Sequence, residues 1–498
     1  MTTPLLRFGW SCLCLLVCWQ TQAKGYFEFH PSAQSIYTQI VQLRLAEAST
    51  QLARMKSVEP NNLIAYHLED YIDFFTLYIS EDEEAYRRMS ANRDRRLALV
   101  TQGDTDSPYY LYVQAEIRLH WALLRLRFEE YLPAFTDINR AHKLLLRNQE
   151  RFPEFLGNIK DLGILHAAVG TVPDEFRWAL ELLSSLEGTI EQGKREIEEV
   201  IRRAPAENFP YELETRVLYS FLLLHLDGRP DAAWEALGEV GLKPDQSPLH
   251  AFVLANVAMR TGHNDKAIDW LENRPRSREF LRFPYLDYML GVAKLRQLDP
   301  RGKIYLQSFI ATTQGRHFIK EAYQKLAWAS LLEGNTEGYN SYMQLVLERG
   351  RASAGGDKNA LREAKAAQTP SLELLQARLL FDGGYYQRAH DLLVGLSAAN
   401  FSRPLDRLEY HYRRGRILHG LKRYDEALLY YDRTIEEGRD NPAFYACNAA
   451  LQAGLVEEKR QHNQSAKAYF ESCLALQPDE YKTGLHQQAK AGLSRLSD

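Results

Sequence analysis

Apolar residues recur at intervals of three and four positions along most of the chain. This spacing places them on one face of an α-helix, and the strict alternation that marks a half-buried β-strand is scarce. Proline and glycine fall between the periodic stretches, as at 205–210, 228–230 and 441–442. Such residues end helices and favour turns. The pattern therefore predicts an all-α protein in which helices alternate with short turns.

One unit of this pattern, residues 409–441, carries small residues at a distinctive spacing. Ala427 follows Gly415 by twelve residues, and Tyr431 comes four residues later. This resembles the tetratricopeptide repeat, a helix pair of about 34 residues. In that family the two small residues face each other across the helix pair, and the aromatic residue fills the space beside the next repeat. Neighbouring units carry matching residues, namely Ala377, Gly384, Tyr386, Ala389 and Leu393 upstream and Gly454, Ala466, Phe470 and Pro478 downstream.

The resemblance extends more weakly toward the N-terminus, with partial copies around Ala122, Ala255 and Tyr323. It implies a right-handed α-solenoid of helix-turn-helix repeats, which builds its core by stacking and needs a cap on its last repeat. We expect a less regular helical region with degenerate repeats at 24–205. A solenoid that ends in a capping helix should occupy residues 206–498.

Residues 162–200 depart from the repeat pattern because glycines are too frequent there for a plain helix pair. Their frequency favours tight helix contacts and short turns. Residues 188–194 also imitate a phosphate-binding loop, but Arg195 stands where that motif requires Ser or Thr, and no buried strand precedes it. We therefore expect no nucleotide site. The residues that define the segment are Gly163, Gly170, Pro173, Trp178, Gly188 and Gly193.

The charge balance argues against nucleic acid as the main partner. The 498-residue chain has 61 Lys and Arg residues against 65 Asp and Glu residues, a net charge of −4. Nucleic-acid binding instead needs a concentrated basic face. One arginine-rich stretch lies among acidic residues, and we interpret it as a solvated helix face. It contains Arg87, Arg88, Arg93, Arg95 and Arg96.

The first 23 residues are typical of a secretory signal. Arg7 precedes a short apolar run at 8–19, and small residues at positions 21 and 23 favour cleavage after Ala23. The run is shorter than the ~20 residues that span a bilayer. We expect an exported protein, either periplasmic or secreted. An outer-membrane lipoprotein anchored at Cys18 is the alternative, although Val17 is larger than the residue that usually precedes a lipidated cysteine.

Cleavage after Ala23 would leave two cysteines, Cys447 and Cys473. Mapped onto the repeat, they lie level with each other on the two helices of one pair. In an exported protein the two thiols could form a disulfide. The other interpretation is a pair of small core residues, and the spacing alone does not decide between the two.

The sequence contains no familiar motif for catalysis or metal binding. His-Glu-x-x-His, Cys-x-x-Cys and Gly-x-Ser-x-Gly are absent. His411 and His419 are eight residues apart on one predicted helix, about 12 Å, which is too far to share an ion. The acidic pair Glu129 and Glu130 is interpreted as part of a solvated face. We therefore predict a non-catalytic protein with no cofactor and no metal.

A partner is expected where the first helices of successive repeats line the concave side of the solenoid. Arginine and aromatic side chains are enriched where proteins are held. The resemblance therefore implies a scaffold or adaptor that binds an extended or helical peptide with acidic groups. The alternative is a helical carbohydrate-binding protein or enzyme with its site in the glycine-rich N-terminal half. The groove positions of the family correspond here to Leu374, Arg378, Phe381 and Asp382 in one repeat and to Glu409, Tyr412, Arg416 and His419 in the next. Among them we predict five partner-binding residues, Arg378, Phe381, Tyr412, Arg416 and His419.

Overall fold

The computed structural model describes residues 24–169 and 186–496. Within these residues the chain is built from α-helices, and its β contacts are two isolated bridges close to the N-terminus. The predicted all-α class is therefore confirmed. The expected signal segment and part of the glycine-rich segment, including Gly170, Pro173 and Trp178, lie outside the described residues.

The N-terminal half consists of helices that pack against their neighbours in the chain. Local signals set the helix starts. Pro31 begins the first helix, where its missing N–H costs nothing. The Asp82 carboxylate caps the start of the helix Glu83–Met89 by accepting hydrogen bonds from two backbone amides, 2.8 and 3.1 Å away. The helices are α1 (Pro31–Val41), α2 (Leu45–Val58), α3 (Ile64–Ser80), α4 (Glu83–Met89), α5 (Ala91–Val100), α6 (Tyr109–Arg127), α7 (Tyr131–Arg151), α8 (Leu156–Val169) and α9 (Ile190–Glu207).

The C-terminal half continues as a stack of helix pairs. Its final helix, α25, covers the last pair, as a capping helix must. The helices are α10 (Glu212–His225), α11 (Pro230–Gly238), α12 (Pro248–Arg260), α13 (Asn264–Glu272), α14 (Tyr285–Arg296), α15 (Gly302–Thr312), α16 (Ile319–Leu332), α17 (Thr336–Glu348), α18 (Gly355–Ala366), α19 (Leu372–Asp382), α20 (Tyr386–Leu393), α21 (Pro404–Gly420), α22 (Tyr424–Glu437), α23 (Tyr445–Lys459), α24 (Asn463–Ala475) and α25 (Lys482–Arg495), with a 3₁₀ turn at Ala398–Asn400.

Small residues allow the helices of each C-terminal pair to approach closely. Ala427 is fully buried, and a Cβ on Gly415 would lie 2.7 Å from the Tyr431 ring. In the next pair, a Cβ on Gly454 would lie 2.5 Å from the Phe470 ring. These distances are below van der Waals contact, so glycine is needed at both positions. The repeat spacing predicted the approach of Gly415 to Ala427, whose carbonyl oxygen would lie 3.4 Å from a Cβ on Gly415, but it did not predict that each aromatic ring packs against the glycine of its own pair.

The two cysteines of the α23–α24 pair lie level with each other, as their repeat positions predict. Both are buried free thiols, and their sulfur atoms are 3.6 Å apart. Cys447 also donates a hydrogen bond to the backbone carbonyl of Cys473, at 3.4 Å. The pair therefore fills the core in this structure, and its sulfur atoms are already neighbours.

The glycines of α8 and α9 mark another tight contact. A Cβ on Gly193 would lie 2.2 Å from the carbonyl oxygen of Gly163. The tight helix contact predicted for the glycine-rich segment is therefore present between these two helices. Lys194 of the phosphate-loop imitation pairs with Glu191 at 2.7 Å and Asp227 at 3.4 Å. Its charge is therefore balanced within the protein.

Two of the five N-terminal arginines do not lie on a solvated face, which corrects the sequence interpretation. Arg96 is 1% exposed and pairs with Asp73 at 2.6 Å and Asp70 at 3.4 Å. Arg93 is also buried and pairs with Asp137. The carboxylates come from α3 and α7, so a helix-face pattern read along α5 alone does not reveal them.

The end of α3 contacts the middle of the chain, and we call this contact the closure. The Glu81 carboxylate accepts hydrogen bonds from the backbone amides of Arg316 and His317, at 3.0 and 3.1 Å, and from the His317 ring at 2.8 Å. Arg127 pairs with the same carboxylate. Glu129 pairs with Arg316 at 3.1 Å, so its assignment to a solvated face was wrong. The closure joins the first helices to the loop before α16.

Candidate functional site

The structure brings Phe381, Tyr412 and Arg416 together on the contacting helices α19 and α21. The guanidinium carbon of Arg416 lies 4.8 Å from the centre of the Phe381 ring. One guanidinium nitrogen donates a hydrogen bond to the Tyr412 hydroxyl at 3.0 Å. Arg416 is therefore held between two aromatic side chains from successive repeats.

Arg378 lies on a third aromatic ring, which the repeat positions did not predict. Its guanidinium carbon is 4.8 Å from the centre of the Trp328 ring of α16. The ammonium of Lys325 is 3.8 Å from the same ring. The Trp328 indole N–H donates to Glu363 at 2.8 Å, which fixes the ring. Trp328 belongs to another helix pair, so the sequence between α19 and α21 carries no signal for it.

Burial separates the predicted site residues into two groups. Tyr412 is 2% exposed, and its hydroxyl accepts hydrogen bonds from Arg416 and Asn448. His419 shares a hydrogen bond with Tyr431 at 3.1 Å. Burial, reinforced by the Arg416 charge, lowers the pKa of His419 to about 4, so the ring is neutral at pH 7. Tyr412 is therefore a buried support for Arg416, whereas His419 is partly exposed, as are Arg378, Phe381 and Arg416.

Arg378, Phe381 and Arg416 are partly exposed and form the accessible part of the predicted site. Leu374, assigned to the groove by repeat position, is instead 1% exposed and belongs to the core. Its place in the core follows from the packing of α19 against the neighbouring helices. This assignment is therefore corrected.

Basic side chains outnumber acidic ones on this surface, which we call the arginine face. Burial lowers the pKa of Lys325, Glu321 opposes this effect, and the nearby Arg378 charge makes a smaller contribution to the lowering. Asp382 links Arg296 to the face, because its charge acts to raise the pKa of both Arg296 and Arg416. The face comprises Arg296, Lys325, Arg378 and Arg416 with Trp328 and Phe381, and its carboxylates are Glu321, Glu363 and Asp382.

A cavity of about 810 Å³, which we call the N-terminal cavity, lies between the helices of the N-terminal half and the first helices of the C-terminal half. Side chains from α1, α3, α6, α7, α8, α10, α12 and α14 line it, together with the loop that carries the closure. Its wall is chiefly apolar. Tyr78 and Leu123, which are 37% and 45% exposed, both line this space rather than pack into the core. Other apolar residues of the wall include Phe74, Phe75, Leu126, Ile164, Val217 and Phe221.

A buried ion cluster forms one part of the cavity wall. Lys160 of α8 is 1% exposed, and its ammonium contacts three carboxylates: Glu214 at 2.6 Å, Asp161 at 3.2 Å and Glu116 at 3.5 Å. The Tyr71 hydroxyl donates to Glu116 and Glu214, both at 3.0 Å. The cluster was not predicted, because α6 and α10 contribute one residue each and α8 contributes two, without a common motif.

The two buried carboxyl groups beside Lys160 have pKa values shifted in opposite directions. Burial and then the charge of Glu116 raise the pKa of Asp161 well above its usual range. Burial opposes the charge of Glu116, but Lys160 outweighs it and holds the pKa of Glu116 well below its usual range. Asp161 therefore holds a proton more strongly than Glu116 does. Strongly shifted carboxyl groups occur at functional sites as well as in structural ion clusters.

Comparison with known families identifies the C-terminal repeats. A family profile described as tetratricopeptide repeat matches residues 374–442. The chain contains tetratricopeptide repeats. The matched range includes α19–α22, and all five predicted partner-binding residues lie within it. Tetratricopeptide repeats typically serve as scaffolds for protein–protein interaction, and the match supports this general class of function here.

The sequence and structure comparisons beyond the family are remote. A search of curated protein sequences finds no match. Among solved structures, the APC/C hetero-tetramer Cut9–Hcn1 is similar at 14% identity, covering 91% of this chain and 95% of that chain, with a TM-score of 0.26. A monomeric mutant of IFIT1 with m7Gppp-AAAA is similar at 13% identity, covering 89% and 80%, with a TM-score of 0.28. At these TM-scores we draw nothing from either structure.

The described part of this tetratricopeptide-repeat protein offers no metal centre. In residues 24–169 and 186–496, His, Cys, Asp and Glu side chains form no group of three or more that could hold a metal ion. None of the helices in these ranges combines the length and apolar character that crossing a bilayer requires.

Proposed function

We propose that this protein is a non-catalytic scaffold that binds an acidic segment of a partner protein on the arginine face. The supporting observation is that Arg378 and Arg416 each lie on an aromatic ring and remain partly exposed. A ring beneath a guanidinium limits its motion and leaves its N–H groups free at the edge. The planar fork of N–H donors matches the two oxygens of a carboxylate.

The local charges support an acidic partner over a basic one. The arginine face has more basic than acidic side chains, so its positive charge is not fully balanced within the protein. An incoming carboxylate would supply a further negative charge. Phe381 adds an apolar contact beside the charges, and the combination of arginine and aromatic side chains is common where proteins bind tightly. An extended or helical segment with acidic groups fits this surface.

Charge reversal at both arginines tests the proposal. We expect R378E together with R416E to abolish recovery of the partner after cross-linking in the native cell envelope and mass spectrometry. Each lost hydrogen bond to a charged group is worth ~1.5–3 kcal/mol, so the affinity for an acidic peptide should fall about 100-fold or more. Fluorescence anisotropy with labelled acidic and basic peptides of equal length measures this change.

The matched control reverses Arg433 and Arg439, two exposed arginines outside the arginine face. It changes the net charge by the same amount, so both binding measurements should stay at the wild-type level. Unchanged recovery and affinity in the Arg378 and Arg416 double variant would contradict the proposal. Equal losses in the two double variants would show that net charge alone attracts the peptide, and would also contradict it.

We also propose that the protein is exported and works in the periplasm or outside the cell. Support comes from the signal-like pattern of residues 1–23 in the sequence. The predicted division into a helical region at 24–205 and a solenoid at 206–498 remains part of this proposal. N-terminal sequencing of the protein from its native host should give Lys24 as the first residue. A chain that still begins at Met1 would contradict export through this signal.

The alternative of a carbohydrate-binding protein or enzyme in the N-terminal half has one supporting observation, the cavity with buried carboxyl groups. A sugar, however, presents hydroxyl groups on most of its surface, and these require polar partners. The cavity wall is chiefly apolar, and most of its charged groups are already paired. The cavity therefore favours a different class of ligand.

A further inference from the structure

Cys447 and Cys473 lie where the last helix pair meets the capping helix. Cys447 is in the first turn of α23 and Cys473 is in the last turn of α24, so the two thiols are at the same end of the pair. Their sulfur atoms are 3.6 Å apart. The Cys473 sulfur also lies 3.9 Å from the carbonyl oxygen of Leu485 in α25. The two thiols are therefore buried together beneath the capping helix.

The helix ends give the two thiols different reactivity. The N-terminal end of a helix favours a thiolate, and the C-terminal end disfavours one. Cys447 is at the first kind of end and Cys473 at the second. The hydrogen bond between the sulfur atoms acts in the same sense, because it lowers the pKa of Cys447 against the effect of burial and, together with burial, raises the pKa of Cys473. Cys447 is therefore the thiol that ionises first.

A surface cleft of about 560 Å³ reaches Cys447, a volume in the range of small-molecule sites. It lies between residues 438–443 and the residues that follow α24, several of which are exposed. The backbone amide of Asp479 donates to the carbonyl of Pro442 at 2.9 Å and joins the two sides. Cys447 lines the cleft, whereas Cys473 lies behind it. A small molecule that enters the cleft therefore meets Cys447 first.

Little movement separates the two thiols from a disulfide. The bond requires a sulfur–sulfur distance of ~2.05 Å, so the two atoms must approach by about 1.5 Å from their separation of 3.6 Å. Rotation of cysteine side chains between rotamers supplies a movement of this size. The helix pair can therefore stay in place while the bond forms.

We propose that Cys447 and Cys473 form a reversible disulfide by exchange with a small disulfide such as oxidised glutathione. The Cys447 thiolate attacks one sulfur of the small disulfide, which forms a mixed disulfide and releases the first thiol. Cys473 then loses its proton and attacks the Cys447 sulfur, which releases the second thiol. The protein sulfur atoms give up two electrons, and the small disulfide takes them with two protons to become two thiols. This chemistry depends neither on the arginine face nor on export.

The disulfide would stabilise the C-terminal end of the solenoid. A terminal repeat has a neighbouring repeat on one side, so it opens more readily than the middle of the stack. The bond would join residues 26 positions apart and restrict the open state of this segment. Leu485 and Ala489 of α25 share a core with the two cysteines, so the capping helix should also open less often.

Incubation of the purified, reduced full chain with oxidised glutathione tests the exchange. After an acid quench, non-reducing digestion and mass spectrometry, we expect a peptide pair joined through Cys447 and Cys473 without glutathione. C473A should keep one glutathione on Cys447, and C447A should react at least tenfold more slowly, because its remaining thiol lies behind the cleft. Unmodified cysteines in the wild type, or glutathione that stays on Cys447, would overturn the proposal. Equal rates for C447A and C473A would overturn the assignment of Cys447 as the attacking thiol.

Hydrogen exchange of the oxidised and reduced wild type tests the stabilisation. Amides of α23–α25 should exchange at least tenfold more slowly in the oxidised form, while those of α14 and α15 should not change. The matched control is C447A together with C473A, in which the same oxidising and reducing treatments should give equal rates throughout. Equal exchange in α23–α25 of the oxidised and reduced wild type would overturn the stabilising role.

Discussion

Buried charges in the N-terminal half connect helices that are distant in the sequence. Lys160 of α8 contacts carboxylates from α6 and α10, and Arg96 of α5 contacts carboxylates from α3. Burial of a charge is unfavourable unless the partners are close and hydrogen-bonded. The ion clusters therefore make the relative position of these helices specific, because a displaced helix would leave charges unpaired.

Removal of the Lys160 charge should destabilise the protein strongly. K160M keeps a long apolar stem but leaves Glu116, Asp161 and Glu214 without their cation, at an expected cost of ~3–5 kcal/mol in the free energy of unfolding. K194M is the control, because Lys194 pairs with the more exposed Glu191 and Asp227, and its loss should cost about 0–1 kcal/mol. Urea unfolding followed by circular dichroism measures both.

A second substitution checks the electrostatic cause of the K160M effect. E214Q in the K160M background removes one uncompensated negative charge, so the double variant should be more stable than K160M alone. Equal unfolding free energies for K160M and K194M would contradict the importance of burial. A double variant less stable than K160M would show that lost packing, rather than charge, causes the effect.

At the scale of helices, the C-terminal pairs depend on contacts between small and large residues. Gly415 faces Tyr431 in one pair, and Gly454 faces Phe470 in the next. The Phe470 ring also touches Gly492 of α25, where a Cβ would lie 2.5 Å from it. One ring therefore joins three helices, and the glycines leave the room that it occupies.

A pair of glycine substitutions separates this packing effect from helix propensity. G454A should destabilise the protein by ~1–3 kcal/mol, because the added methyl group overlaps the Phe470 ring in a filled core. G484A should stabilise it by up to ~1 kcal/mol, since alanine favours the helix and nothing lies within 4 Å of its added Cβ. Thermal unfolding of both variants provides the comparison, and equal signs would contradict it.

At the scale of the whole molecule, the closure brings the first helices against residues more than 230 positions later. A second contact supports it, as the backbone amide of Leu281 donates to the carbonyl of Leu43 at 2.8 Å. These contacts bring the helices from both sides around the N-terminal cavity. The shape of the cavity therefore depends on the path of the chain over more than half its length.

The closure should weaken in acid. Burial disfavours the charge of Glu81, but hydrogen bonding by His317 and the Arg127 charge outweigh it and lower the pKa of Glu81 from 4.5 to about 2. The folded-state pKa is depressed, so the stabilisation is present above pH ~4.5 and is lost as the pH falls toward 2. This lowering corresponds to roughly 3 kcal/mol.

Urea unfolding at pH 7 and pH 3 measures the contribution of Glu81. E81Q should be less stable than the wild type at pH 7, and the difference should shrink at pH 3. E84Q changes an exposed neighbour and should match the wild type at both values. A difference between E81Q and the wild type that is equally large at both pH values would contradict the pKa-based explanation.

The sequence predicted local features better than distant contacts. The approach of Gly415 to Ala427 follows from spacing within one helix pair, and this prediction was correct. Arg93 and Arg96 were wrongly assigned to a solvated face because their partners lie on other helices. Trp328 and Lys160 were not predicted as site residues for the same reason. Their roles depend on residues that no local pattern connects to them.

The sequence by itself determined the helices, the small-residue contacts of the C-terminal pairs and the tetratricopeptide repeats. These features depend on residues that are near in the chain, so periodicity and spacing record them. Only the tertiary structure decided which charges are buried, which aromatic rings hold Arg378 and Arg416, and that the first helices close around a cavity. Those outcomes depend on how successive helix pairs are rotated and stacked, because small rotations accumulate along the chain and bring distant residues together.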